Sequence, residues 1–200
     1  MQWKKWAAIA VLVAILALAA LLGRRLERYQ DWGWQDAAER VHGRFLKAPP
    51  STWLAGFGAH APWHTWARDG ALQVPRAIES PDAQQPFALL QVRYSIREAR
   101  GETESESWNE VTVAAIRVPS AADTTQVPGS AEDALAAVRD GTLFVWRKNP
   151  RGAGAALPPK ELPALLQEAR ELATRLSPIA PSTRNAASAG PAPAGPRTPP

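Results

Sequence analysis

Residues 87–118, FALLQVRYSIREARGETESESWNEVTVAAIRV, decide the fold class. From Phe87 to Glu98 the chain alternates. Leu90, Val92, Tyr94 and Ile96 fall on one face, Gln91, Arg93, Ser95 and Arg97 on the other. From Trp108 to Val118 it alternates again, with Val111, Val113 and Ala115 against Thr112, Ala114 and Ile116. A period of two rich in β-branched and aromatic side chains marks strands. The segment between, REARGETESES, is polar and rich in Glu. The stretch therefore predicts a long antiparallel hairpin with a solvated tip.

Downstream, Ser130 is a candidate helix cap with Asp133 three residues on, so a helix is expected over 131–139. It should turn at Asp140-Gly141 into TLFVWR, a compact buried strand from Thr142 to Arg147. Lys160 to Leu176 carries Leu162, Leu165, Leu166, Ala169, Leu172, Ala173 and Leu176 as one continuous helical stripe. Pro163 falls in the first turn, where a missing N–H does little harm, and Ser177-Pro178 ends the helix. The expected class is α+β: an N-terminal transmembrane helix, then a small antiparallel sheet packed with amphipathic helices on one face. The sheet would hold the 87–118 hairpin and the 142–147 strand, with helix 160–176 across it.

Upstream the signals are weaker. Asp69-Gly70 between Trp63–Arg68 and Ala71–Val74 is a two-residue hairpin signal, and Pro75, Pro81 and Pro86 punctuate the chain from there to the long hairpin. Trp34, Ala38, Val41 and Phe45 recur at helical spacing, predicting a short amphipathic helix over 35–47 that Pro49-Pro50 ends. Trp32 and Trp34 fit equally a membrane interface or the start of the soluble core.

Trp6 to Leu22, WAAIAVLVAILALAALL, is apolar without charge, Pro or Gly. Seventeen helical residues span about 26 Å, close to the hydrocarbon thickness of a bilayer. Trp6, Ile9, Leu12, Ile15, Leu18 and Leu22 mark the expected span. Lys4 and Lys5 flank it on one side, Arg24, Arg25 and Arg28 on the other, as interfacial residues do. A single-pass signal anchor in a bacterial inner membrane is the preferred reading. A cleaved signal peptide competes, because Ala17-Leu18-Ala19 resembles a cleavage site. A short basic tail before the span favours an exported, periplasmic domain over a cytoplasmic one. The chain thus divides into an anchor with flanks (1–30), a soluble domain (31–178) and a Pro/Ala-rich tail (179–200) expected to be disordered.

The formal net charge of +4 is not a nucleic-acid signal. Residues 31–178 carry more acidic than basic side chains, and the basic excess lies in the flanks and the tail. With no Cys, disulfides and thiolate metal sites are excluded. His60 and His64 have ligand spacing on a helix, but Pro62 lies between them and no third ligand is near. Glu98, Glu102, Glu104 and Glu106 cluster at the hairpin tip without the Asp/Asn-Gly pattern of a calcium loop. Gly152 and Gly154 lack the context of a phosphate loop. The sequence therefore predicts no catalytic residue, metal or cofactor.

The hairpin, the expected capped helix, DGTLFVWRKNP and PPKELPALLQEARELATRL together resemble uncharacterised bacterial membrane proteins that join one N-terminal span to a small α+β domain. The resemblance implies no catalytic residues. The expected function is a membrane-tethered, non-enzymatic interaction module, an accessory component of an envelope complex. Its expected partners are the lipid bilayer and a protein. Glu102, Glu104, Glu106, Trp63 and Trp66 are the candidate interaction residues. A binder of small ligands or glycans, or a hydrolase, built on the Trp-rich stretch 53–66 is the alternative, with an immunity-type inhibitor as a third.

Overall fold

The computed structural model describes residues 2–58, 60–67, 70–82, 86–100, 103–119, 121–125, 127, 134–147 and 156–176. A single helix, α1 (Gln2–Arg40), starts the chain. It leads into β1 (Arg44–Lys47), two short helices α2 (Ser51–Ala55) and α3 (Pro62–Ala67), then β2 (Leu72–Glu79). The hairpin β3 (Phe87–Arg100) and β4 (Thr103–Arg117) follows, then β5 (Ala134–Arg139), β6 (Thr142–Arg147) and α4 (Leu162–Leu176), which a 3-10 turn at Pro159–Glu161 introduces. The strands form one antiparallel sheet in the order β1-β2-β3-β4-β6-β5. The fold class is α+β: a long apolar helix followed by an antiparallel sheet with helices.

Both faces of the sheet are covered, where one was expected. The C-terminal part of α1 and α4 cover one face, with Trp34, Leu89, Leu143, Leu162 and Leu166 at its centre. The loop with α2 and α3 covers the other, where Trp63, Leu90, Val92, Val113 and Phe144 are buried. Alternation along β3 divides the two sets: Leu89 faces α1 and α4, while Leu90 and Val92 face α3. The α4 stripe is buried at all its positions from Leu162 to Ala173. Each buried Leu there contributes about 1.5–3 kcal/mol. Arg147 on β6 pairs with Glu168 of α4 at 2.6 Å, and Leu157 N–H donates to Thr112 Oγ1 at 2.9 Å, tying the approach to α4 onto the sheet.

Four expectations are corrected. The segment 35–47 is not a separate helix. Residues 35–40 continue α1 without a break, and Phe45 lies in β1. The stop is His42-Gly43. His42 takes a left-handed φ of 55°, its N–H reaches Glu39 O at 3.2 Å, and Gly43 N–H reaches Ala38 O at 2.8 Å. That pair of bonds is a Schellman cap. Next, Trp63 to Ala67 is helical rather than a strand, because Pro62 opens α3 at the position where its fixed φ suits a first turn. Arg68 and Asp69 lie outside the described residues. Third, the hairpin strands pair as far as Arg100 with Thr103, so little is left of the long tip.

The fourth correction is at residues 134–139, which form β5 instead of a helix. Ala134 to Val138 is apolar throughout, and burial on both sides of a sheet needs no alternation. Ala136 and Val138 join the α4 side, Ala137 the other. The turn at Asp140-Gly141 stands, with φ of 48° and 66°, the positive pair that a two-residue hairpin requires. The expected cap at Ser130 and the tail 179–200 lie outside the described residues.

Trp34 and Trp32 separate the two sides of α1. Trp34 is 2% exposed and Trp32 is 73% exposed. Replacing Trp34 with Ala is expected to cost about 3–5 kcal/mol of stability. Replacing Trp32 should change it by less than about 0.5 kcal/mol. Denaturant unfolding of the detergent-solubilised chain measures both, and equal losses would contradict this packing.

Candidate functional site at the helix–sheet junction

The site begins with an irregularity in β2. Gln73 pairs with Arg93, but Arg76 pairs with Gln91, so Val74 and Pro75 together oppose Val92. This is a bulge, a place where a Pro without an N–H is tolerated. Strict alternation would put Leu72, Val74, Arg76 and Ile78 on one face. The extra residue leaves Leu72 and Val74 on the α3 side and turns Arg76 and Ile78 toward α1.

Arg76 is buried, with its side chain 7% exposed, and it meets α1 there. Its Nε donates to Asp31 Oδ1 at 2.7 Å, its Nη1 to Gln91 Oε1 at 2.9 Å and its Nη2 to the Glu27 carbonyl at 3.3 Å. Lys47 of β1 donates to the other oxygen, Asp31 Oδ2, at 2.5 Å. The chain of bonds continues across the sheet. Gln91 Nε2 donates to Glu110 Oε1, and Arg93 Nε donates to Glu110 Oε2 at 2.9 Å. One polar network thus joins α1, β1, β2, β3 and β4.

Burial works to raise the Asp31 carboxyl. The hydrogen bonds from Lys47 and Arg76 and the charges behind them outweigh it and hold the group below its ordinary value of 3.8. Desolvation alone pushes the Tyr94 phenol up, where it packs against Trp66 at 5.8 Å between ring centroids.

On the outer side of the same helix, Leu26, Tyr29 and Trp32 are exposed at 65%, 66% and 73% and follow one another at three-residue spacing. Arg25 and Arg28 lie beside them. Further back, Trp6, Ile9, Leu12, Ile15, Leu18 and Leu22 are all exposed. Among the described residues α1 is the one helix long and apolar enough to cross a membrane, and none of its apolar window is buried. Arg24 is exposed beside Leu21 and Leu22, and Lys4 and Lys5 are backbone positions of its first turns.

The structure does not gather the residues singled out from the sequence. Glu102 lies outside the described residues. Glu104 is a position of β4 paired with Ala99. Glu106 is exposed and stands 4.0 Å from Arg97 across the ribbon. Trp63 is fully buried, edge-on to Phe57 and Phe144, so it presents no surface. Trp66 is half-buried against Tyr94 and Trp146. His64 is exposed, and His60 meets Asp140 at 3.1 Å instead of a second ligand. The Asp31–Arg76 network escaped the sequence reading. Only a charged residue inside the apolar spacing of β2 hinted at it.

Asp31→Asn should leave Arg76 buried without its anionic partner and cost about 3–5 kcal/mol at pH 7. The carboxyl is held low in the folded chain, so its contribution is complete above pH 4 and is lost as pH falls through the folded value. The wild type should therefore lose stability on acidification below about pH 4 by more than Asp31→Asn does. Parallel acid melting curves for the two proteins would refute this coupling. No family model matches the chain, and neither a curated protein nor a solved structure does.

Proposed function

We propose that this chain is a single-pass protein of a bacterial inner membrane whose exported domain is a non-enzymatic interaction module, an accessory component of an envelope complex. One observation carries the reading. The helix that is long enough to cross a membrane runs unbroken into the core of the sheet domain, from Trp6 through Asp31 to Ala38. A flexible tether would let a domain search the surface. A continuous helix clamped by the buried Asp31–Arg76 ion pair holds one surface at a set height and angle instead, which suits assembly with a neighbour in the same membrane.

Leu26, Tyr29 and Trp32 supply that surface, beside the basic side chains of Arg25 and Arg28. Apolar and aromatic side chains rimmed by Arg are typical of contact surfaces near membranes. The short basic N-terminal tail in front of the long apolar span supports export of the C-terminal domain.

The chain has no Cys, so single-Cys variants report one position each. In native membranes, Tyr29→Cys and Trp32→Cys should cross-link to another membrane protein, and Gln167→Cys on the exposed side of α4 should not. A reporter fused after Leu176, active only when exported, should be active. Absence of a cross-link at both positions would remove the interaction surface. An inactive export reporter, paired with an active cytoplasmic one, would reverse the orientation.

A further inference from the structure

A second feature lies on the opposite face of the sheet, under α2. No residue of α2 is fully buried, and Trp53 and Leu54 pack only partly against the apolar cluster of this face. Beneath this short helix is a cleft of about 170 Å³ whose lining includes Trp53, Phe57, Glu79, Arg117 and Thr142. Three bonds define its edges. Trp53 Nε1 donates to Glu79 Oε2 at 2.7 Å, Arg117 Nη2 to Gly56 O at 3.2 Å and Arg117 Nη1 to Asp140 O at 3.3 Å. Glu79 is also paired, with Arg44.

Two groups in this cleft are left over. Thr142 is 2% exposed, and its Oγ1 has no hydrogen-bond partner. A buried hydroxyl without a partner destabilises a fold, and Val would fill the same place without that penalty. Arg117 touches only carbonyl oxygens and has no carboxylate partner among the described residues. A guanidinium favours a planar anion that it can hold with two parallel bonds. Trp53 and Phe57, 5.1 Å apart and edge-on, supply an apolar wall.

The geometry points to a binding site for a small organic carboxylate: its carboxylate shared between Arg117 and the Thr142 hydroxyl, which stand opposite each other on β4 and β6, and its apolar body against Trp53 and Phe57. The volume is below the roughly 300 Å³ at which sites for drug-sized ligands begin, so the ligand is a single ring or an amino-acid-sized molecule. This site is independent of how the protein is anchored.

Calorimetric titration of the full chain in detergent with benzoate, and with benzamide as the neutral isostere, tests the assignment. Benzoate should bind one to one and benzamide at least tenfold more weakly. Arg117→Gln and Thr142→Val should each weaken benzoate at least fivefold. Thr142→Val should meanwhile hold or raise the Tm, because the orphaned hydroxyl is gone. Absence of saturable heat, equal binding of benzamide, or benzoate affinity unchanged in Thr142→Val would overturn the site. So would a fall in the Tm of Thr142→Val, since Thr142 would then be structural.

Discussion

The structure depends on the pairing of one buried cation. Arg76 sits between a helix and a sheet, and a guanidinium cannot stay there unpaired without a cost of several kcal/mol. Asp31, Gln91 and the Glu27 carbonyl accept from it, and Lys47 answers the second oxygen of Asp31. Because these partners come from three different elements besides β2, α1 has one register on the sheet in which they all meet. Apolar packing of Trp34, Ala38 and Val41 supplies most of the adhesion, but it tolerates small slips. The ion pairs do not.

That network explains why the bulge at Val74-Pro75 matters. A regular strand would point Arg76 into the aromatic side of the sheet, away from Asp31 and Gln91. The insertion of one residue exchanges the faces. The same step places Ile78 under the end of α1, where it fills the space that Gly43 leaves; a side chain at Gly43 would collide with Ile78. Gly33 plays the matching part earlier in the helix, where an added Cβ would stand 2.8 Å from Pro159 Cγ at the start of α4. Close approach at these two glycines brings α1 onto the sheet and against α4.

Strands with a clear period were legible in the sequence. Phe87 to Arg97 and Trp108 to Arg117 alternate because their two faces meet different neighbours. The α4 stripe was legible for the same reason. Residues 134–139 were not, because Ala134 to Val138 is apolar on both faces and its Ala content suits a helix; only its pairing with β6 makes it a strand. The Asp-Gly signal succeeded at 140–141 and misled at 69–70, where Pro62 commits the preceding residues to a helix. Nothing local could reveal the junction. Asp31 and Arg76 are 45 residues apart, and their meeting follows from a bulge and a helix stop that are visible only in three dimensions.

The unbroken α1 also makes the domain a lever. From Leu22 to Arg40 the helix rises about 27 Å. A tilt of about 20°, ordinary for a helix in a bilayer, would swing its far end sideways by about 9 Å. Neighbouring helices and interfacial Trp and Arg side chains set such tilts in a bilayer, and the sheet domain would lean with the span. With no hinge between span and sheet, those contacts would help to set which face of the domain its surroundings meet.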